Sequence, residues 1–298
     1  MVRRQDLLQA GQHPLDHVLA TRGQEGYAKF KNRLRLSSAD KFGEHTTTMA
    51  PPFPIWVDTF RPELERKRWY HRFSGITATA GGFDIERDCR TGHGPLGALY
   101  PLNTTHPQKE GDTGTFLYLV PTGMNDPDEP TWGSWAGRYG RQEQFPDRNY
   151  YWANQQDTWN GTTHRENTLK RFAADLQNDF KARLDWCVKP KTEANHAPIV
   201  SVAGPRRQTV KAGAVVPLDA SATRDPDGDK LTYRWWMYRE PGTFPRELQT
   251  DAVDSPTLKF IAPEVDSPQT VHVMLTVSDS GSPALTRYAR VVLTVDPR

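Results

Sequence analysis

The last hundred residues of the chain alternate apolar and polar side chains in short runs that are separated by turn residues. Apolar residues occupy every second position in two of these runs: Val271, Val273, Leu275 and Val277, then Ala289, Val291, Leu293 and Val295. A period of two is that of a β-strand with one buried face. We therefore predict an antiparallel β-sandwich over residues 196–298, with the second face of these strands in solvent.

One predicted strand carries large aromatic residues on both faces. Its two faces hold Tyr233, Trp235 and Met237 on one side and Arg234, Trp236 and Tyr238 on the other. Buried aromatic residues supply most of the packing of a small core, so one face belongs to the sandwich. Two interpretations stay open for Trp236 and Tyr238: a flat platform for stacking, or a surface that the preceding domain covers.

The 298 residues are about twice the length of a typical domain, which predicts two domains. Residues 1–59 are polar and end in a proline-rich stretch, so we interpret them as a poorly packed lead-in. Residues 60–191 are rich in Trp, Tyr, Gly and Pro and form the first domain. A linker at residues 191–196 precedes the sandwich.

A single long helix is predicted near the end of the first domain. Thr163 followed by Glu166 is the spacing of a capping box. Apolar residues then recur every three or four positions: Leu169, Phe172, Ala173, Leu176, Phe180, Leu184 and Cys187. Such a helix would be about 34 Å long, with Lys189-Pro190 ending it.

Charge and composition exclude several classes of partner. The 38 Lys and Arg residues nearly balance 36 Asp and Glu residues, so a nucleic-acid or anionic-membrane partner is not expected. No apolar run approaches the roughly 18 residues of a membrane span, and Met1 to Ala20 show no signal-peptide core. Cys89 and Cys187 form either one bridge or two thiols.

The candidate binding residues are Trp132, Trp135, Arg138 and Tyr139. Sugar rings have apolar faces that stack on aromatic planes, and their hydroxyls hydrogen-bond to planar groups such as guanidinium. The neighbouring Gly133 and Gly137 would let the backbone approach a ligand closely. The alternative is that the aromatic residues fill a core that is poor in aliphatic side chains.

Two further motifs also have a functional and a structural interpretation. His93 lies in a glycine-rich turn, where it either exchanges a proton near neutral pH or has no chemical role. The turn Asp225-Pro226-Asp227-Gly228-Asp229 either holds a calcium ion between alternating carboxylates or simply links two strands.

Five stretches, in this order, resemble one family of cellulose-binding proteins. They are His93 to Pro101, Glu110 to Thr113, Asn125 to Tyr139, Leu176 to Trp186, and Asp225 to Asp229. The resemblance implies a nucleoside-hydrolase-like α/β domain followed by an immunoglobulin-like sandwich. The Asp-rich motif that begins such a domain has no counterpart in residues 1–90, where Asp58, Asp84 and Asp88 are isolated. The chain therefore resembles mainly the C-terminal part of the family, and we expect an incomplete α/β layer.

The resemblance also implies a metal site. In nucleoside hydrolases a late aspartate completes a calcium shell, which makes Asp112 the candidate ligand and calcium the candidate ion. Glu110 and His93 would then be the acid–base partners of Asp112 in catalysis. Alternatively, Asp112 or Thr113 caps the segment at residues 115–120, and Glu110 is a solvated loop carboxylate.

Our leading hypothesis is a carbohydrate-binding protein whose partner is cellulose or a related plant polysaccharide. The alternatives are a calcium-assisted hydrolase of glycosidic bonds, such as N-ribosides, and a shortened relative without activity. The resemblance implies an extracellular location.

Overall fold

The structure is a computed structural model. It describes residues 80–101, 117, 120–126, 129–141, 155–248 and 254–298, together with the backbone of residues 55–56 and 150–152. Most of the predicted lead-in lies outside the described residues, as do Glu110 and Asp112. The predicted domain boundaries stay predictions.

The first part of the chain combines few helices with two small sheets. Its strands are β1 (Ile55–Trp56), β2 (Gly140–Arg141), β3 (Tyr150–Trp152), β4 (Asp157–Trp159) and β5 (Thr162–His164). Its α-helices are α1 (Gly94–Ala98), α2 (Asn167–Lys170) and α3 (Ala173–Asp185). β3 pairs in parallel with β1 and antiparallel with β2 in one sheet, while β4 and β5 form a hairpin. None of the described helices has the length and apolar character needed to span a membrane.

The C-terminal part consists of two sheets that share one core. Its strands are β6 (Arg207–Lys211), β7 (Val215–Asp219), β8 (Thr232–Met237), β9 (Thr257–Ile261), β10 (Gln269–Ser278) and β11 (Thr286–Asp296). The larger sheet has the order β6-β11-β10-β8, and the smaller one pairs β7 with β9. The predicted inner face is confirmed, because every second residue from Val271 to Val277 and from Ala289 to Val295 is at most 1% exposed. Trp235 lies in the same core.

The second face of the larger sheet is also buried, which corrects the expectation of a solvated face. His272, Met274, Tyr288 and Arg290 are all at most 6% exposed. Met274 and Tyr288 pack in one cluster with Tyr238 of the sandwich and with four residues of the first part: Met124, Trp135, Phe172 and Leu176. We call this cluster, with the polar contacts around it, the domain interface. The first part therefore covers the aromatic face of β8.

The predicted long helix is wrong at its start. Thr163 lies in strand β5, where its hydroxyl is 2.8 Å from that of Thr158 in β4, so it caps no helix. Asn160 and Gly161 both have positive φ angles, 47° and 75°, and close the hairpin. Asn-Gly is the preferred pair for a two-residue hairpin turn, and this signal outweighs the capping-box spacing.

The remaining helix is interrupted after Lys170. Phe172 departs from helical geometry, with φ −113° and ψ 4°, immediately before α3 begins. At this break the Arg171 guanidinium lies over the ring of Trp236, with Cζ 4.9 Å from the ring centroid. Helix α3 has 13 residues and is therefore about 20 Å long.

The two cysteines are separate thiols. Cys89 is buried in the first part of the chain, whereas Cys187 is exposed after the end of α3. The Cys187 thiol donates to the backbone oxygen of Arg183 at 3.3 Å. The bridge that the sequence left open is not formed.

Candidate functional site

The loop at residues 129–141 carries the predicted binding residues and folds against strand β8. Pro130–Trp132 form a turn of 3-10 helix, and Gly133 follows with φ 90°. A Cβ atom on Gly133 would lie 2.9 Å from the Tyr238 hydroxyl and 2.7 Å from Cγ of Arg138. Glycine is therefore required here for both its φ angle and its small size.

Trp135 and Tyr139 lie in the interior. Trp135 is 1% exposed, and its ring meets that of Tyr288 edge to face at a centroid distance of 6.3 Å. Its indole Nε1 donates to the Tyr288 hydroxyl at 3.3 Å, which satisfies the buried N–H group. Tyr139 is fully buried. These positions correspond to the core alternative and offer no face to a sugar ring.

Arg138 is the cation of a buried charge cluster. Its Nε atom donates to Asp157 Oδ1 at 2.7 Å, and the Tyr238 hydroxyl donates to Asp157 Oδ2 at 2.6 Å. Arg171 Nη1 adds a contact with Asp157 Oδ2 at 3.3 Å. Burial, and then the Asp157 charge, raise the pKa of Tyr238 well above its usual value. The guanidinium of Arg138 is therefore committed to the protein interior.

Among the three aromatic residues predicted to bind a sugar, Trp132, Trp135 and Tyr139, only Trp132 keeps solvent contact. It is half-buried, and its ring meets that of His272 edge to face at 4.9 Å. The Arg207 guanidinium covers it, with Cζ 4.4 Å from the ring centroid. Arg207 in turn contacts Asp126 at 3.0 Å and Glu129 at 3.6 Å. We call Trp132, Arg207, Asp126 and Glu129 together the Trp132 surface.

The Trp132 surface has the composition of a sugar-binding site. Its three charged side chains are 31% to 59% exposed, so they reach solvent around the aromatic ring. Carboxylates accept hydrogen bonds from hydroxyls, and the guanidinium of Arg207 donates to them.

Behind this surface, Arg290 holds the two parts of the chain together. It donates to the backbone oxygens of Met124 and Trp132, both at 2.9 Å. Its Nη1 atom lies 2.9 Å from His272 Nδ1. Burial, and then the charges of Arg290, Arg138 and Arg207, lower the pKa of His272 to about 3. A neutral His272 therefore accepts the hydrogen bond from Arg290.

His93 stands apart from the Trp132 surface. Its Nε2 atom is 3.0 Å from Asp185 Oδ1 at the end of α3, and Asp185 also pairs with Lys189. Nδ1 of His93 is buried and has no hydrogen-bond partner among the described residues. The described residues around His93 do not form a cluster of oxygen ligands for calcium.

The acidic turn brings three carboxylates within 4.8 Å of one another: Asp225, Asp227 and Asp229. Asp225 Oδ1 accepts the backbone N–H groups of Asp227 and Asp229 at 2.9 and 3.0 Å. Asp227 binds the backbone N–H group and the imidazole of His196. Hydrogen bonds from backbone N–H groups and from His196 therefore fix the conformation of the turn.

Arg207 and Glu129 were missed by the sequence analysis. Arg207 begins β6 and lies 75 positions after Trp132 in the sequence, so no local spacing joins the two residues. The parallel pairing of β6 with β11 brings Arg207 beside the loop. Only the tertiary fold could have identified this contact.

Known structures include a relative that spans nearly the whole chain. It is a nucleoside hydrolase-related protein from Saccharophagus degradans that is associated with carbohydrate metabolism. The match has 27% identity and a TM-score of 0.65, and it covers 95% of this chain and 67% of that one. A PKD domain from the KIAA 1837 protein matches at 22% identity over 33% of this chain and 86% of its own, with a TM-score of 0.26. No curated protein matches the chain.

Two family models match the chain in order. Residues 9–139 match the nucleoside hydrolase-like domain of the cellulose-binding protein Sde182, and residues 215–295 match the C-terminal domain of the cellulose-binding protein Sde0182. The first match extends the resemblance toward the N-terminus, from residue 90 to residue 9. The chain therefore belongs to the family of cellulose-binding proteins that join a nucleoside hydrolase-like domain to this C-terminal domain.

Proposed function

We propose that the protein binds cellulose or a related plant polysaccharide. The observation that carries this proposal is the match to both domains of a cellulose-binding family, in the family's order. The association of the Saccharophagus degradans relative with carbohydrate metabolism supports it. Contact with such a polymer implies an extracellular location.

The Trp132 surface is the proposed contact. When the Arg207 guanidinium moves off the Trp132 ring, the ring can meet the apolar face of a pyranose, and the exposed carboxylates and guanidinium beside it can meet the hydroxyls. Trp135, Arg138 and Tyr139 support this surface from the interior. Their part in binding is to fix the loop that carries Trp132.

A pull-down on insoluble cellulose, with other plant polysaccharides in parallel, tests the proposal. We expect the parent protein to be retained and Trp132→Ala to be retained less, because it removes the ring on which a pyranose would stack. Trp159→Ala is the matched control, since it removes another half-buried tryptophan, in strand β4. If the parent is retained on none of the polymers, the proposed function is wrong.

Binding without hydrolysis is part of the proposal. The hydrolase alternative depends on Glu110 and Asp112, which lie outside the described residues. Release of reducing sugar from cellulose, or of base from a nucleoside, by the purified chain would contradict binding alone. If a chelator abolished the release of sugar or base, calcium would be implicated.

We further assign residues 196–298 to the immunoglobulin-like sandwiches. Two sheets that share one core support this assignment. An experimental structure of this region would test its strand topology.

A further inference from the structure

Trp186 is the most exposed tryptophan among the described residues. It follows the last residue of α3 and is 36% exposed, whereas the other described tryptophan side chains are half-buried or buried. A ring that is both partly exposed and held in one position has the arrangement that a stacking ligand needs.

Hydrogen bonds hold the Trp186 ring in place. Its Nε1 atom donates to the backbone oxygen of Asn195 at 2.8 Å, and its backbone N–H group donates to the oxygen of Ala182 at 2.9 Å. The first contact ties the end of α3 to the segment that leads into the sandwich. A ring that is already fixed loses little conformational entropy when a ligand stacks on it.

The imidazole of His196 stacks against part of one face of Trp186. The two rings are nearly parallel, with 11° between their planes and 6.0 Å between their centroids. Parallel rings in contact are about 3.5–4.0 Å apart, so these two are displaced sideways and overlap only in part. We call the two rings the Trp186 platform.

The acidic turn fixes the second ring of the platform. Asp227 Oδ1 is 3.0 Å from His196 Nδ1, and Asp227 Oδ2 accepts the His196 backbone N–H group at 2.7 Å. The turn that is a candidate calcium site therefore also positions an aromatic side chain. Three separate segments, α3, the linker and this turn, build the platform.

Polar groups surround the platform. The Arg183 guanidinium lies over the Trp186 ring, with Cζ 5.5 Å from the ring centroid, and pairs with Asp179 at 2.6 Å; its side chain is 44% exposed. The side chain of Asp227 is 32% exposed. The guanidinium donates and the carboxylate accepts, so a pyranose on the exposed part of the Trp186 ring would have partners for its hydroxyls.

We propose that the Trp186 platform is a second sugar-stacking site, which takes the pyranose rings of a polysaccharide chain. This inference rests on the proposed polysaccharide binding and extends it from the Trp132 surface to Trp186 and His196. A protein partner is disfavoured because the platform is small and edged with charges, whereas protein interfaces are depleted of charged residues at their centres.

The test is a binding isotherm on insoluble cellulose for the parent, Trp186→Ala and Trp186→Phe. Truncation of a central aromatic contact typically weakens binding about tenfold or more, so Trp186→Ala should lower the affinity to that extent. Trp186→Phe keeps an aromatic face and should recover part of the affinity. Trp159→Ala, which removes a half-buried tryptophan from strand β4, is the matched control and should bind like the parent.

A second readout separates stacking from a change in folding. The indole N–H resonance of Trp186, assigned with Trp186→Phe, should shift when cellohexaose is added, and that of the buried Trp135 should not. If the parent binds and Trp186→Ala binds equally well, the platform is not a sugar site and the proposed function stands. If the parent does not bind, both proposals are wrong. Capture of a protein by the parent but not by Trp186→Ala, without a cellulose effect, also overturns the sugar assignment.

Discussion

At the scale of single residues, Asp157 is the charge on which the loop of Trp132 depends. It is fully buried and contacts three partners from separate segments: Arg138, Arg171 and Tyr238. Its replacement leaves the Arg138 guanidinium without a counter-charge and leaves Arg171 with only Glu240, 3.7 Å away. Because an unpaired buried charge is costly, Asp157→Asn should lower the free energy of unfolding by about 3–5 kcal/mol. Urea denaturation of the two proteins measures this difference.

An exposed ion pair provides the control for Asp157. Arg298 contacts Glu264 at 2.6 Å, and both side chains are more than 60% exposed. Solvent screens such a pair, so Glu264→Gln should change the free energy of unfolding by no more than about 1 kcal/mol. Equal effects of the two substitutions would mean that the buried cluster does not stabilise the fold.

His272 makes the stability of the protein depend on pH. Its pKa falls from 6.5 to about 3 in the folded state, first through burial and then through Arg290, Arg138 and Arg207. Between these values the unfolded chain binds a proton that the folded chain does not bind. Stability therefore falls as the pH is lowered from about 6.5 toward 3, by up to about 1.4 kcal/mol per pH unit from this group.

The variant His272→Gln isolates this contribution. Glutamine does not titrate, and its side-chain oxygen can still accept a hydrogen bond from Arg290. Free energies of unfolding measured from pH 7 to pH 4 should fall less steeply for the variant than for the parent. Parallel curves for the two proteins would show that His272 does not carry this proton difference.

At the scale of elements, two glycines with positive φ have different reasons to be glycine. Gly161, with φ 75°, has open space at its Cβ position, whereas a Cβ on Gly123, with φ 87°, would lie 1.9 Å from the Tyr288 backbone oxygen. Gly161→Ala should cost about 1–2 kcal/mol for backbone conformation alone. Gly123→Ala should cost distinctly more, because it also separates the loop from β11. Thermal unfolding of the two variants compares these costs, and equal shifts would contradict the steric argument.

The sequence predicts elements well where local pattern and tertiary packing agree. The inner face of β10 and β11 follows from a period of two, since the core needs only that alternation. The prediction of a helix start at Thr163 is wrong because the Asn160-Gly161 pair closes a hairpin, and this local preference outweighs the capping-box spacing. The prediction that the outer face of β10 lies in solvent is wrong for a different reason. No local pattern reveals that another part of the chain will cover a sheet.

The same limit applies to the candidate site. Trp132 and Trp135 are three positions apart and chemically identical, yet one reaches solvent and the other is 1% exposed. Their difference comes from Tyr288 and Arg207, which approach from strands more than 70 residues away in the sequence. Aromatic composition can therefore indicate a sugar-binding loop, but the fold determines which ring is accessible.

At the scale of the whole molecule, the domain interface joins the two parts of the chain into one structural unit. Phe172 is 4% exposed, and its ring lies within 6.3 Å of three sandwich rings, those of Trp236, Tyr238 and Tyr288. Separation of the two parts would expose this aromatic face of the sheet to water. The Trp132 surface would also be lost, since Arg207 belongs to the sandwich and Trp132 to the first part.

This coupling predicts one cooperative unfolding transition for the described parts of the chain. Phe172→Ala removes a ring from the first part and should lower the free energy of unfolding by about 3–5 kcal/mol. Because the lost contacts lie on strands β8 and β11, the backbone amides of the sandwich should exchange with deuterium faster in the variant. Val188→Ala, at a position that is 43% exposed, should leave that exchange unchanged. Two separate transitions in urea, with sandwich amides that Phe172→Ala does not affect, would mean that the parts fold independently and that the interface only aligns them.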